Sequence, residues 1–239
     1  MSDLEVKNRV YQSNQLIESS YTLTLNEKRL ILFAASLLDS EKPAPKDGLV
    51  TVSAEAFALA FGMEVRHAYG VLGEAIERLG SRWMKRYTYS ASCEVEPEPD
   101  EMRWIYHKKY MAKEGRVLLG FSPTVLPHLT LLNREFTGIQ LKNITNLTSF
   151  NSFRIYVLTA QYLNFGKRYF DLERLRQLLQ MEDKYPKVKD FRKYVLDLSV
   201  KDVNQSTDLA LTLEPRRKGR TIVGFEFTIK RSEQIPLGI

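Results

Sequence analysis

Cysteine and histidine are scarce in this sequence. Cys93 is the only cysteine among 239 residues, so the chain cannot form an internal disulfide. His67, His107 and His128 lie too far apart along the chain to show the spacing of a metal-ligand pair. We therefore expect no metal site, no cofactor and no redox role.

Long hydrophobic runs are absent as well. A membrane-spanning helix needs about 20 consecutive apolar residues, and the apolar runs here cover only a few. The first residues, MSDLEVKNRV, are charged where a secretory signal would be apolar. These features predict a cytoplasmic protein that is neither exported nor inserted in a membrane, and the hydrophobic content of 44% suffices for a full core.

The common catalytic motifs are also missing. The sequence has no G-x-x-x-x-G-K-[ST] loop for nucleotide phosphates, no G-x-S-x-G elbow and no close histidine pair for the metal of a nicking endonuclease. Tyr156 and Tyr162 lie at helical spacing, which indicates core packing, and neither has an activating base beside it. The sequence therefore predicts a protein without catalysis.

What the sequence does have is an uneven distribution of basic charge. Residues 1–132 hold 16 Lys and Arg against 17 Asp and Glu, whereas residues 133–239 hold 19 against 12. The net charge of +6 therefore comes from the C-terminal part. This asymmetry favours a polyanion as partner, nucleic acid first, with a membrane surface or an acidic protein as alternatives.

The first half of the chain shows an ordered series of elements. Thr24 and Glu27 form the T-x-x-E pattern of a capping box at the start of a helix, and Ser53 caps a second helix that ends before Gly62. The predicted elements, in order, are helix 24–38, strand LVTV, helix 53–61, helix 65–79, a long hairpin of RWMKRYTYS and RWIYHKKYM, strand RVLLGF and helix 123–132.

The second half repeats this order. Its predicted elements are helix 148–165, a helix capped by Asp171 over 171–180, helix 188–205, and the strands DLALTLE and TIVGFEFTIK. Matching elements are offset by roughly 120 residues, which indicates a tandem structural repeat. We therefore predict an α+β fold of two winged-helix domains, 1–132 and 133–239, each a helix-turn-helix with a β-hairpin wing.

In the second domain, the third helix carries basic residues in the pattern PKVKDFRKYV. A 3, 4, 3 spacing of apolar residues predicts a buried face of Val188, Phe191, Val195 and Leu198. Because the third helix of such a domain enters the major groove, the basic residues of the opposite face are candidate DNA contacts. These are Lys189, Arg192 and Lys193, with Lys187 directly before the helix.

The stretch LEPRRKGRTIV is predicted to form the tip of the wing. Gly219 permits a tight turn, and the four cations around it are Arg216, Arg217, Lys218 and Arg220. A wing tip lies along the DNA backbone or in the neighbouring minor groove, where guanidinium groups meet phosphate. A solvated loop is the alternative for these cations. We expect the basic helix and this tip to lie on one surface that straddles a duplex.

The first domain is less basic at the matching positions. Its third helix begins with Arg66 and His67 but also carries Glu64, and its predicted wing loop, CEVEPEPDE, is acidic. We therefore expect weaker DNA contact there. The aromatic and β-branched surface of its hairpin suits sheet packing or dimerisation.

Three segments of the chain resemble the iteron-binding plasmid replication initiators of the theta type. These are VYQSNQLIESSYTLTLNEKRLILFAASLL, FTGIQLKNITNLTSFNSFRIYVLTAQYLN and YPKVKDFRKYVLDLSVKDVNQSTDLALTLEPRRKGRTIVGFEFTIK. The most specific parts of this resemblance are Phe191, Val195 and Asn204, with the R-K-G-R tip before a strand that ends in F-x-F. The likeness runs from about residue 8 to residue 231.

The resemblance implies two winged-helix domains and binding to directly repeated sequences of double-stranded origin DNA. It further implies opening of the adjacent duplex and recruitment of the host initiator and the replicative helicase. It also implies an equilibrium in which monomers bind the repeats and a dimer, formed through the first domain, represses its own promoter. By position, the basic residues of helix 188–205 match the family's reading helix, and residues 216–220 match its wing. A winged-helix transcriptional repressor without origin activity is the alternative hypothesis.

Overall fold

The computed structural model describes residues 9–45, 47–87, 98–132 and 134–233. Cys93, most of the acidic stretch CEVEPEPDE and the predicted junction at Asn133 lie outside the described residues. The chain divides into two compact units, Met1–Lys142 and Asn143–Ile239. The division falls later than the sequence boundary at residue 132 because the strand Phe136–Gln140 pairs along its length with the strand Arg9–Ser13.

The first unit contains four helices and eight strands among its described residues. The helices are α1 (Asn14–Ile17), α2 (Leu25–Ser36), α3 (Ala54–Phe61) and α4 (Val65–Leu79). The strands are β1 (Arg9–Ser13), β2 (Ser20–Tyr21), β3 (Leu49–Ser53), β4 (Trp83–Arg86), β5 (Asp100–Arg103), β6 (Ile105–Met111), β7 (Arg116–Phe121) and β8 (Phe136–Gln140).

Capping residues set the starts of the first-unit helices, as predicted. The Thr24 side chain accepts from the Glu27 amide while the Glu27 carboxylate accepts from the Thr24 amide, which completes the capping box of α2. The Ser53 hydroxyl accepts from the amide of Ala56 at the start of α3. Gly62 then ends α3 in the left-handed conformation, with φ at 60°.

The strand pairing of the first unit differs from the predicted long hairpin. β4 lies between β2 and β5, whereas β6 pairs with β7 in a separate sheet of order β3-β7-β6. The predicted hairpin is therefore wrong, since its second arm divides between β5 and β6. The predicted helix 123–132 is wrong as well, because this segment forms turns and a single 3₁₀ turn, Leu126–His128, that contains Pro127.

The second unit has the same plan with fewer strands. Its helices are α5 (Lys142–Thr145), which begins at the division, α6 (Phe150–Ala160), α7 (Leu172–Leu179), α8 (Val188–Phe191) and α9 (Asp197–Ser206). Its strands are β9 (Lys167–Asp171), β10 (Leu209–Lys218) and β11 (Thr221–Arg231), in the order β10-β11-β9. A π-helical turn, Arg192–Leu196, joins α8 to α9.

Both units therefore follow the winged-helix order of helix, strand, two helices and a hairpin. The sheets β3-β7-β6 and β10-β11-β9 correspond to each other. In both, the middle strand is the second strand of the wing hairpin, β7 in the first unit and β11 in the second. The left-handed backbone positions also recur before the first strand, after the second helix and in the hairpin. They are Gly48 and Gly166, Gly62 and Gln180, and Gly115 and Gly219. The predicted duplicated winged-helix fold is confirmed.

Each unit has its own apolar core. In the first unit the rings of Phe33, Phe57 and Phe61 pack on one another at the junction of α2 and α3. In the second unit the rings of Phe170 and Phe227 pack in a T shape across the β9–β11 pair. Among the described helices, none has the length and apolar character needed to cross a membrane.

Candidate nucleic-acid interface

The basic helix, residues 188–206, consists of α8, the π-helical turn and α9. The amide of Asp197 donates to the carbonyl of Arg192, five residues earlier, which is the hydrogen bond that defines a π turn. The side chains of the same two residues form an ion pair, with Arg192 Nε 3.3 Å from Asp197 Oδ1. The turn places one additional residue in the helix and so rotates everything after it.

This rotation corrects one part of the predicted buried face. Phe191 and Val195 are buried as expected, but Leu198 is 57% exposed. The positions that face the core after the π turn are instead Leu196, Ser199 and Val203. A pattern that assumes 3.6 residues per turn cannot anticipate this shift of one residue.

The four predicted contacts of the basic helix lie before or within the π turn. Lys187 is the N-cap residue, and its side chain is exposed. Lys189 and Lys193 are also exposed, and Lys193 Nζ lies 4.7 Å from the centre of the Tyr194 ring. Arg192 is half-buried and is held by Asp197. Three cations on this helix thus have no acidic partner in the described chain.

A buried arginine that the sequence interpretation missed holds the turn before the basic helix. Arg176, on α7, donates to the carbonyls of Met181 and Lys184 from Nη1, at 3.1 and 2.7 Å, and to the Tyr185 carbonyl from Nη2, at 2.6 Å. Its guanidinium carbon also lies 4.6 Å from the centre of the Phe191 ring. Arg176 therefore ties α7, the turn and the start of the basic helix together.

The wing of the second unit, β10 and β11, ends in a two-residue turn of Gly219 and Arg220. Gly219 has φ at 63° in the first central position, a conformation that favours glycine in hairpin turns. Arg217, Lys218 and Arg220 are exposed, and Arg217 Nη1 donates to the Arg220 carbonyl at 3.1 Å. Three cations at this tip therefore face solvent without an acidic partner among the described residues.

Arg216 differs from the other three cations of the predicted tip. Its guanidinium forms an ion pair with Glu226 across the hairpin. A bulge between Arg216 and Arg217 shifts the strand register at this point. Arg216 thus contributes to the hairpin itself, and part of its charge is already neutralised.

Asn204 connects the basic helix to the wing. Its side-chain amide donates to the Leu211 carbonyl at 2.9 Å, and its side-chain carbonyl accepts from the Leu211 amide at 2.6 Å. Asn204 therefore pairs with β10 as a neighbouring strand would, and α9 packs on β10. These bonds fix the two predicted DNA-contacting elements within one unit.

Part of the basic charge of the second unit has a structural role. Arg154 is fully buried and donates to the Leu178 carbonyl at 3.1 Å, and Arg168 Nη1 donates to the Leu158 carbonyl at 2.6 Å. Together with Arg176, these side chains satisfy backbone carbonyls inside the fold. The cations available to a polyanion are therefore fewer than the 19 Lys and Arg of residues 133–239, and they include those of the basic helix and the wing tip.

In the first unit, Arg66 and His67 are exposed in the first turn of α4, as predicted. The topology shows that the wing of this unit is the β6–β7 hairpin, with its tip at residues 112–115. The expected acidic wing is therefore wrong, since the acidic stretch follows β4 in the sequence and its last two residues, Asp100 and Glu101, belong to β5. The wing instead carries exposed basic residues with one acidic neighbour, Glu114. They are His107, Lys108, Lys109, Lys113 and Arg116.

Side chains of β6 cover part of the outer face of α4. The Tyr110 hydroxyl donates to the Tyr69 carbonyl at 3.3 Å, and Lys108 Nζ lies 2.7 Å from Glu77 Oε1. Within the described ranges, no three His, Cys, Asp or Glu side chains come together in a group that could hold a metal ion.

Family models for winged-helix initiators match both units. The model described as Initiator Replication protein, WH1, matches residues 9–160, and the model described as Initiator Rep protein, WH2, matches residues 171–229. The chain belongs to the initiator replication protein family. The first family domain extends beyond the first compact unit because it includes α6.

Relatives of the initiator family cover almost the whole chain. A replication initiation protein of Escherichia coli is 26% identical over 93% of this chain and 70% of its own length. The PI protein of Escherichia coli is 25% identical over 98% of this chain and 87% of its own length. A crystal structure of Pi initiator protein in complex with iteron DNA superposes with a TM-score of 0.75 at 24% identity, over 96% of this chain and 100% of that one. This last similarity concerns the fold.

Proposed function

We propose that this initiator binds directly repeated sequences, iterons, in the double-stranded DNA of a plasmid origin. The observation that carries the proposal is the concentration of unpaired cations on two connected elements of the second unit, the basic helix and the wing tip. Family membership and the iteron DNA bound by Pi initiator protein support the same ligand.

The proposed contacts divide into two kinds. Lys187, Lys189, Arg192 and Lys193 enter or border the major groove, where side chains reach base edges. Arg217, Lys218 and Arg220 follow the backbone or the adjacent minor groove, and Arg216, which is paired with Glu226, makes at most a minor contact beside them. If six to ten phosphates are neutralised, affinity falls by about 10³ to 10⁵ between 50 and 200 mM salt.

The first unit is proposed to make an auxiliary DNA contact and to provide the dimer interface. Arg66 at the start of α4, with the basic β6–β7 wing, supplies positive charge for phosphate, and the exposed His67 can donate a hydrogen bond to it. The contact is weaker than that of the second unit because Lys108 is already paired with Glu77 and Glu114 lies at the wing tip.

Binding at the repeats is proposed to serve initiation without catalysis, in the cytoplasm. The bound protein would help to open the adjacent duplex and would recruit the host initiator and the replicative helicase. A dimer would repress the promoter of its own gene. These steps are proposed from the resemblance to the replication initiators. Binding energy alone would drive them, without a catalysed reaction.

Footprinting on the DNA that flanks the protein's own gene tests the proposal. The expected result is a series of evenly spaced protected segments in one orientation. The triple substitution Arg217→Ala, Lys218→Ala and Arg220→Ala should abolish the series at 150 mM salt. Lys230→Ala, which removes an exposed cation from the other end of β11, should leave it intact.

Two other outcomes would contradict the proposal. Protection of a single inverted repeat, on DNA that supports no replication of a linked plasmid, would identify a transcriptional repressor of the same fold. A lack of any protected segment, with equal affinity for random duplexes, would remove sequence-specific binding altogether.

A further inference from the structure

Two large side chains of the basic helix face solvent. Tyr194 is 50% exposed and Leu198 is 57% exposed, although both belong to the helix that we propose enters the major groove. They share one face with Lys201 and Gln205, at spacings of four, three and four residues. This face is aromatic and apolar in its N-terminal half and cationic and polar in its C-terminal half.

The π turn is the reason why Leu198 points outward. Without the additional residue, the spacing from Phe191 and Val195 would place Leu198 in the core, as the sequence pattern predicts. A leucine that loses its core position gains no burial within this unit, and π turns occur frequently at functional sites. The exposure of Leu198 therefore points to a contact with another molecule.

The environment of Leu198 is preorganised. Tyr194 stacks on Tyr185, with ring centres 6.3 Å apart and an angle of 27° between the planes, and Lys193 Nζ lies 4.7 Å from the centre of the Tyr194 ring. Tyr194 and Leu198 line a groove of about 370 Å³ that continues to the start of α6, where it is bordered by Ser149 and Asn151.

We propose that Leu198, supported by Tyr194, contacts the C5 methyl group of a thymine in the major groove. This inference rests on the proposed function. The thymine methyl is the apolar feature of the major-groove edge, and apolar side chains are its usual partners. Lys193 on one side and Lys201 on the other are exposed, so the charge around the patch suits DNA phosphates flanking a base step.

The test removes the methyl group alone. A duplex selected from a random library by the full chain is prepared with each thymine replaced, one at a time, by deoxyuridine. At one or two positions this replacement should weaken binding by about fourfold, the value of one buried methylene-sized group. Leu198→Ala should abolish that penalty at those positions and leave the others unchanged.

Leu59→Ala is the matched control, because Leu59 is 87% exposed on α3 of the first unit. It should retain every deoxyuridine penalty. The same penalties in the Leu198→Ala and parent proteins, or a uniform loss of affinity on all duplexes, would overturn the thymine contact while leaving the proposed function in place. A selection that enriches no sequence would overturn both. Unchanged thermal unfolding of Leu198→Ala would show that the variant is folded.

Discussion

The two units share a fold but hold their third helices differently. In the first unit, α4 follows α3 after a turn of Gly62, Met63 and Glu64 and continues as a regular helix. In the second, the turn runs from Gln180 to Lys187, contains two left-handed residues that are not glycine, and is held by the buried Arg176. The longer turn thus depends on a specific side chain.

The outer faces of the two helices differ as well. Tyr110 and Lys108 lie against α4. The exposed side of α4 carries Glu74 and Glu77 as well as basic residues. The basic helix instead presents exposed lysines and, after the π turn, the uncovered Leu198. The same winged-helix scaffold therefore presents two different outer surfaces. The charge and phase of the third helix distinguish the two copies.

Arg176→Met should have the largest effect, and it should be confined to the second unit. The substitution leaves three turn carbonyls without their charged donor, which should cost about 3 kcal/mol or more in the free energy of unfolding. Amide hydrogen exchange would report the loss as reduced protection of residues 188–206. Arg174→Met, on the same helix, should preserve most of this protection, and equal losses in both variants would show that Arg176 has no special role.

Arg192→Ala should sharpen the comparison between the reading helices. If Arg192 reaches a guanine, the variant should lose about 1–3 kcal/mol of discrimination between the selected site and single-base variants. Arg66→Ala, the matched change on α4, should weaken binding slightly and by the same factor on all duplexes. Competition binding at fixed salt measures both. An equal loss on random DNA for Arg192→Ala would make this residue a backbone contact.

Local signals in the sequence predicted much of the fold. Thr24, Ser53 and Asp171 cap α2, α3 and α7 through hydrogen bonds with nearby amides, so a few adjacent residues determine where these helices begin. The strand partners of β4 could not be predicted in this way. One of them, β2, is distant in sequence, and the other, β5 (DEMR), lacks an alternating apolar pattern.

The residues of the candidate site could be predicted from the sequence, but their arrangement in space could be predicted only in part. The positions of Lys189, Lys193 and the wing cations follow from spacing and turn chemistry. The π turn could not be predicted from a 3.6-residue period, although the adjacent pair Val195 and Leu196 is compatible with two phases. Arg176 did leave a signal, because it occupies an inward position beside Leu175 and Leu179 in an otherwise apolar helix face.

A dependence on pH should appear in the first unit, which contains all three histidines. Burial, aided by the charge of Arg86, lowers the pKa of His128. The Ser13 hydroxyl accepts from the Leu16 amide and lies within hydrogen-bond distance of His128 Nδ1, at 2.7 Å. The unfolded chain therefore binds a proton more readily, and stability should fall as the pH drops below about 6.5.

The expected slope is at most about 1.4 kcal/mol per pH unit, and it should level off below the folded-state pKa of His128. Both tryptophans, Trp83 and Trp104, lie in the first unit, so urea unfolding followed by their fluorescence reports this unit. His128→Gln should remove this part of the slope, whereas His67→Gln should keep it because His67 is exposed. A slope unaffected by His128→Gln would assign the acid sensitivity to carboxylates.

The smallest expected effects compare the two wings. Arg217→Ala should reduce the slope of log affinity against log salt by about one, since one phosphate contact is lost on every sequence. Lys113→Ala in the first wing should reduce it by less, because Glu114 lies beside it. Arg216→Ala should also have little effect, since Glu226 already neutralises this arginine. Equal reductions for Arg217→Ala and Lys113→Ala would mean that both wings meet phosphate alike, and the asymmetry between the units would then lie in the reading helices alone.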